Sequence, residues 1–302
     1  MRHIQSIVLR HSLALAWVVA GSAAAQQSSG PGNESNTTAL LDKHAALAGQ
    51  LAQNQYRRPL FLESSEGANT VSGDAYAVLD SPFSTVSTTF KSPNRWCEVL
   101  ILHLNTKYCR ASADTSPSTL AVSIGRKTAQ QLKDASSIEF AYHVAAASPN
   151  YLATQLNADK GPLSTSNYRI ELQAVPLPEG KTFMHLRYSY GYGMAGRLAM
   201  QAYLATLGRG KVGFTQINQE QKSVYVGGMR GIVERNTMRY YLAIEAYMAT
   251  LSRPPAQQPD ARLQYWFDAT EEYAQQLHEV DRNNYLDMKK DEHQRQQAPS
   301  PG

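Results

Sequence analysis

GGMRGIVERNTMRYYLAIEAYMATL, Gly227 to Leu251, is the stretch on which the fold turns. From Glu234 to Leu251 it has no Gly or Pro and predicts a helix of about five turns. Met238, Tyr241, Leu242, Glu245, Met248 and Ala249 keep the i, i+3, i+4, i+7 spacing of one face, and Tyr240, Ile244, Tyr247 and Leu251 form a second apolar series. Beyond Glu234 its only charges are Arg235, Arg239 and Glu245. A helix apolar over most of its circumference is covered on most sides by other elements. The covering strands must come from upstream.

From Leu120 to Tyr190 the period is two, and Tyr192 to Leu207 then returns to a helical pattern. Leu120, Val122 and Ile124 alternate, as do Ile138, Phe140, Tyr142 and Val144, and then Leu152, Thr154 and Leu156. Tyr168 to Pro176 and Thr182 to Tyr190 predict a hairpin centred on Glu179. That register sets Tyr168, Ile170, Leu172 and Ala174 against Tyr190, Tyr188, Leu186 and Met184. It also sets Glu171 opposite Arg187 and Gln173 opposite His185, which reads as a solvated outer face. Earlier, Gly73 to Asp80 predicts a strand and Tyr56 to Leu62 an extended segment. Ser81-Pro82 and Ser92-Pro93 each offer a helix start, an N-cap hydroxyl followed by Pro at the first helical position. Leu40 to Leu51 predicts a short amphipathic helix. Ser223 to Val226 reads as a last strand, and Leu263, Trp266, Phe267, Tyr273 and Leu277 lie on one further helix.

Residues 1–25 carry a basic start (Arg2, Arg10), a short apolar run and Ala23-Ala24-Ala25, the pattern of a secretory signal peptide cleaved near Ala25. Residues 26–38 read as a flexible leader and 296–302 as a disordered tail. The expected localisation is therefore periplasmic or secreted. Without Arg2 and Arg10, 27 of the 29 Lys and Arg remain against 25 Asp and Glu, so the chain lacks the basic excess that nucleic-acid phosphates require. Exported chains oxidise paired cysteines, and Cys97 and Cys109 are the only two, so they are expected to bond to each other.

The order is strand, two short helices, a run of antiparallel strands and one long apolar helix. With the local pattern AVLDSPFSTVSTTFKSPNRW (Ala77 to Trp96), it resembles the START/Bet v 1-like superfamily of polyketide cyclases and lipid-transport proteins. The resemblance implies an α+β helix-grip fold, a curved antiparallel sheet wrapped around the C-terminal helix with an apolar cavity between them. The domain would span 39–251, with an insertion at 192–222 that the resembled fold does not supply and a helical extension at 252–295. In such a cavity the candidate ligand-binding residues are Trp96, Tyr142, Tyr168, Tyr188, Tyr190, Arg239, Tyr241 and Glu245.

Motifs for hydrolase, metalloprotease or nucleotide chemistry are absent. There is no G-x-S-x-G and no H-E-x-x-H, and Gly208-Arg209-Gly210-Lys211 lacks the first glycine of a P-loop, Ala205 standing in its place. His103, His143 and His185 lack metal-ligand spacing, and no cofactor or metal is expected. Arg230–Glu234 reads as a structural i, i+4 pair. The favoured reading is a binding or carrier protein for an apolar or amphipathic, lipid-like small molecule. One alternative is a cyclase- or hydrolase-like enzyme using a tyrosine, His103 or Glu245 in the same cavity, and another is an envelope interaction protein. Met194, Leu198, Tyr203, Leu204 and Leu207, bordered by Arg197, Arg209 and Lys211, suit transient membrane contact through 192–211.

Overall fold

The computed structural model describes residues 31–112, 118–206, 208, 210–219 and 222–298; the signal segment 1–25 lies outside them. Helices α1 (Pro31–Ala46) and α2 (Ala48–Ala52) precede a hairpin of β1 (Leu60–Glu66) and β2 (Thr70–Leu79). Short helices α3 (Phe83–Phe90) and α4 (Pro93–Leu100) lead into β3 (Thr106–Ser112), β4 (Ser118–Ile124), β5 (Ser136–Ser148), β6 (Tyr151–Lys160), β7 (Thr165–Leu177) and β8 (Lys181–Tyr192). Helix α5 (Met194–Ala205) and a ribbon of β9 (Gln216–Gln219) and β10 (Lys222–Tyr225) come next. Then follow α6 (Gly228–Ala249), α7 (Gln258–Glu271), α8 (Ala274–Leu277) and α9 (Arg282–Gln297).

Strands β1 to β8 form one antiparallel sheet in the order β1-β2-β8-β7-β6-β5-β4-β3. Register shifts at Thr106/Tyr108, Val144/Ala146 and Ser166/Arg169 interrupt three ladders, and such bulges bend a strand and sharpen its twist. The bent sheet wraps α6. Val233, Met238, Leu242, Ala243, Ile244 and Ala246 have at most traces of exposure, so burial surrounds the helix as its sequence requires. At Gly73 of β2 the helix comes so near that a Cβ would lie 2.3 Å from the Thr237 hydroxyl. Glycine there lets helix and strand meet flush. This is the helix-grip arrangement expected from the sequence, α+β with the long helix inside the sheet's curve.

The hairpin register holds through Ile170↔Tyr188, Glu171↔Arg187, Leu172↔Leu186, Gln173↔His185 and Ala174↔Met184. At its open end the ladder is bulged, with Asn167 at φ 50°, so Tyr168 and Tyr190 are not a ladder pair although their rings stack 5.4 Å apart. The outer face is not simply solvated. Leu40, Leu47 and Leu51 of α1 and its neighbour pack on Tyr76, Val175 and Phe183, and His44 lies 4.8 Å from the Phe183 ring. Arg187 turns from Glu171 to Asp74 (3.1 Å), which also binds His185 Nε2 (2.8 Å). Asp74 is buried and Glu171 only half-buried, so water screens the Asp74 pair less.

Two further expectations change, and a third element is found where it was expected. The leader read as coil is helical from Pro31, because Thr37 and Leu40 are buried and the Thr38 hydroxyl donates to Glu34 O (3.0 Å). The last strand is present as β10, and it pairs with β9 in a separate ribbon. The single C-terminal helix breaks after Glu271, where Tyr273 turns the chain so that its hydroxyl reaches Tyr56 O (2.6 Å), and the highly polar α9 follows. The disulfide between Cys97 and Cys109 is present, with Cα atoms 5.2 Å apart, and ties α4 to β3. Among the described residues no helix is long and apolar enough to cross a membrane.

Candidate functional site

Where β4, β5, β7 and β8 curve away from α6, the tyrosines of β7 and β8 do not fill the gap. Phe140, Ile170, Tyr188 and Tyr190 from the sheet, with Leu100, His103 and Tyr240 from the helical side, enclose an inner compartment of about 160 Å³. Asn105, Tyr168, Met200, Ile232 and Asn236 line both it and an outer compartment of about 770 Å³, so the two adjoin. The inner wall is aromatic: Tyr188 lies 5.2 Å from Tyr240 and 5.6 Å from Tyr190, and Tyr240 stacks 5.0 Å from His103. Amphipathic rings of this kind give an apolar surface with hydroxyls for orientation.

The outer compartment is cationic. Arg126, Lys127, Arg235 and Arg239 line it, with Asp134 the one acid among its walls. Arg235 and Arg239 are each only 2% exposed, and Arg235 Nη1 donates to Val212 O (3.1 Å). Glu279 accepts from Arg239 (2.9 Å) and Lys127 (2.6 Å), with Lys211 at 3.8 Å. Burial alone would raise Glu279, but Arg239, Lys127 and Lys211 outweigh it and hold the carboxyl below the usual range. Among the described residues, four cations against Asp134 give the walls of the compartment net positive charge. An anionic group is the complementary occupant.

The interior is neutral by the same physics. Burial pushes Tyr188, Tyr190 and Tyr240 above the ordinary phenol range. Burial, with Arg239, Lys289 and Lys127 adding to it, takes His103 well below the ordinary imidazole range. Near neutral pH the inner compartment therefore offers hydrogen bonds and no charge.

Of the residues singled out from sequence, Tyr168, Tyr188, Tyr190 and Arg239 meet at this cavity. Trp96 and Tyr142 do not line it. Trp96 Nε1 and the Tyr142 hydroxyl both donate to Phe90 O, at 3.2 and 2.7 Å, fixing the end of α3 within the core. Tyr241 and Glu245 face the opposite side of α6. The Tyr241 hydroxyl donates to Glu245 (2.8 Å), which Arg58 Nε also reaches (3.1 Å) in a network that continues to Glu272 and Tyr273. Arg230 is 4.0 Å from Glu234, whose buried carboxylate accepts from Ser64, Phe214 N and Thr215 and anchors 212–215 structurally. Tyr240 belongs with the tyrosines whose density in the sequence suits an amphipathic pocket, whereas Asn236, Ile232, Met200 and Lys127 do not stand out there. The i+4 spacing of Ile232, Asn236 and Tyr240 was the one available signal. Among the described residues no group of three His, Cys, Asp or Glu is placed to hold a metal ion.

Fold and cavity together define a helix-grip protein with a two-compartment pocket, aromatic within and cationic at the mouth. Among solved structures the chain is similar to human StAR-related lipid transfer protein 5 (10% identity, 73% of this chain and 100% of that one, TM-score 0.37). It is also similar to a conserved protein of Geobacillus kaustophilus (11% identity, 59% and 95%, TM-score 0.35). A third similarity is to norcoclaurine synthase of Thalictrum flavum (9% identity, 49% and 89%, TM-score 0.33). No family model matches the chain, and no curated protein matches it.

Proposed function

We propose that this chain is an exported binding or carrier protein that holds an amphipathic small molecule, its apolar body in the aromatic compartment and an anionic head among Arg235, Arg239 and Lys127. The carrying observation is that two compartments of opposite character adjoin across shared walls. Export is supported by the leader pattern at 1–25 and by the disulfide, which persists in oxidising compartments. Binding is favoured over acid–base catalysis because no group lining the inner compartment is poised near neutrality: its tyrosines are raised and His103 is lowered. The test is titration with 11-(dansylamino)undecanoate, whose emission rises in apolar surroundings. Saturable binding that Ala199→Trp or Met200→Trp abolishes supports the proposal, and binding unchanged by both contradicts it.

The exchange route is proposed to involve membrane contact through α5. Leu163, Met194 and Leu198 are 71%, 82% and 61% exposed, beside Gly196, Ala199 and Met200 at the cavity mouth. An exposed apolar group at an entrance suits insertion into the acyl boundary, and nearby cations such as Arg197 and Lys211 suit anionic lipid. Co-sedimentation with anionic vesicles at low salt should be reduced by Leu198→Asp. No vesicle binding, or binding indifferent to Leu198→Asp, removes this route.

A further inference from the structure

Tyr188 and Tyr190 stand two residues apart on β8 and so share its inner face, where Tyr240 of α6 meets them. Both are almost fully buried, at 6% and 4% exposed. Other buried tyrosines have partners for their hydroxyls: Tyr142 donates to Phe90 O (2.7 Å), Tyr241 to Glu245 (2.8 Å) and Tyr285 to Leu102 O (2.9 Å). Among the described residues, the hydroxyls of Tyr188, Tyr190 and Tyr240 have none. Nor are they sealed in the packing. The Thr154 and Thr237 hydroxyls have neither a partner nor open surface, whereas these three phenol oxygens keep surface of their own, and the inner compartment is the space the three residues line. Unpaired hydroxyls in an apolar setting are costly, and at a cavity wall the missing partners belong to the occupant. The compartment's volume, about 160 Å³, is close to the roughly 150 Å³ of an apolar cavity that holds one benzene ring. Its aromatic walls suit a flat occupant of that size.

We infer that Tyr188, Tyr190 and Tyr240 determine specificity, their hydroxyls bonding neutral oxygen on a single ring at the buried end of the ligand. This deepens the carrier reading and rests on it. A phenol both donates and accepts, so a ring hydroxyl, which does the same, is the complementary group. The ligand class becomes an organic acid whose far end is one hydroxylated ring. An acid ending in a plain hydrocarbon ring leaves the three hydroxyls unpaired and binds more weakly.

A matched pair of probes isolates the oxygen: 5-(4-hydroxyphenyl)pentanoate and 5-(4-methylphenyl)pentanoate share head, linker and ring and differ only in hydroxyl against methyl. In calorimetric titration the full chain should bind the hydroxyl compound about tenfold more tightly, the discrimination expected of one buried hydrogen bond. In the double variant Tyr188→Phe with Tyr240→Phe the preference should fall below about twofold. Stability gives a second readout. A hydroxyl unpaired before the ligand binds contributes nothing to folding, so neither Tyr188→Phe nor Tyr240→Phe should lower the urea midpoint, whereas Tyr142→Phe, which loses its bond to Phe90 O, should lower it. Equal affinities in the wild-type chain, the hydroxyls then serving ordered water only, would overturn the assignment. A preference that survives the double variant, or a midpoint lowered by Tyr188→Phe or Tyr240→Phe, would do the same. The pair comparison needs no variant, so it decides the matter even if the double variant fails to fold. If neither phenylpentanoate binds while dansylaminoundecanoate does, the ligand class assigned to the tyrosines is wrong and the carrier reading stands. If dansylaminoundecanoate fails as well, both fall.

Discussion

Replacing Glu292 by Gln should unfasten the C-terminal helix from the cavity wall. Glu292 Oε1 accepts from Lys107 Nζ (3.0 Å) and Oε2 from Lys289 Nζ (2.5 Å), and both lysine side chains are fully buried. Lys107 also donates to Leu104 O and Thr128 O, and Lys289 to His103 O and Thr106 O. One carboxylate thus neutralises two ammonium groups that brace the turn carrying His103. Removing one partner of a buried pair costs about 3–5 kcal/mol because the remaining charge is uncompensated, so Glu292→Gln should lose at least about 3 kcal/mol at pH 7. The pH dependence gives a second check. Burial lowers Lys289 to about 8 from 10.5 despite the opposing pull of Glu292, and burial lowers Lys107 as well. Between about 8 and 10.5 the unfolded chain keeps a proton that the folded chain has released, so stability rises with pH in that window. In Glu292→Gln, with the stabilising anion gone, the release is easier and the deficit should shrink by pH 9.5. Urea unfolding followed by circular dichroism at pH 7 and 9.5 measures both. A loss under 1 kcal/mol at pH 7, or a deficit that does not shrink by pH 9.5, would refute the reasoning.

Other substitutions test the frame around the cavity. Cys97→Ala with Cys109→Ala should cost about 3 kcal/mol in urea unfolding by the chain-entropy model, and thiol labelling of the unreduced, denatured wild-type chain should find no free cysteine. Gly73→Ala places a methyl against the Thr237 hydroxyl and should cost about 1–3 kcal/mol, part of which Gly73→Ala with Thr237→Ala should recover. Arg187→Ala should cost less than about 1 kcal/mol, since the side chain is 42% exposed and Asp74 retains His185. Probe affinity should be untouched by Tyr241→Phe, because that hydroxyl is bonded to Glu245 on the far side of α6.

The elements that sequence disclosed are those with a single period and a single buried face. Alternation in β7 and β8 set both faces of their hairpin, and the Gly- and Pro-free run set α6. What failed was azimuth. Because α6 is buried all round, its periodicity does not say which face meets a cavity and which meets a packed neighbour. Tyr240 and Tyr241 are adjacent in sequence and about 100° apart on the helix, so one lines the pocket and the other joins the Arg58 network. His103 had no spacing signal, since it is brought to Tyr240 by a turn and a disulfide rather than by a repeat. Helix α9 was opaque for a different reason: Lys289 and Glu292 are core residues here, and in a polar run like DMKKDEHQRQQ nothing distinguishes buried charges from exposed ones.

The central claim, that the two compartments hold an amphipathic occupant, is tested most directly by native mass spectrometry of the full chain purified without detergent from the envelope of the producing cell. The account predicts a one-to-one adduct carrying an acidic group and an apolar body. The adduct should be absent from Ala199→Trp and Met200→Trp proteins that remain folded. A mass equal to the bare chain throughout, in protein that also fails to take up dansylaminoundecanoate, would contradict it.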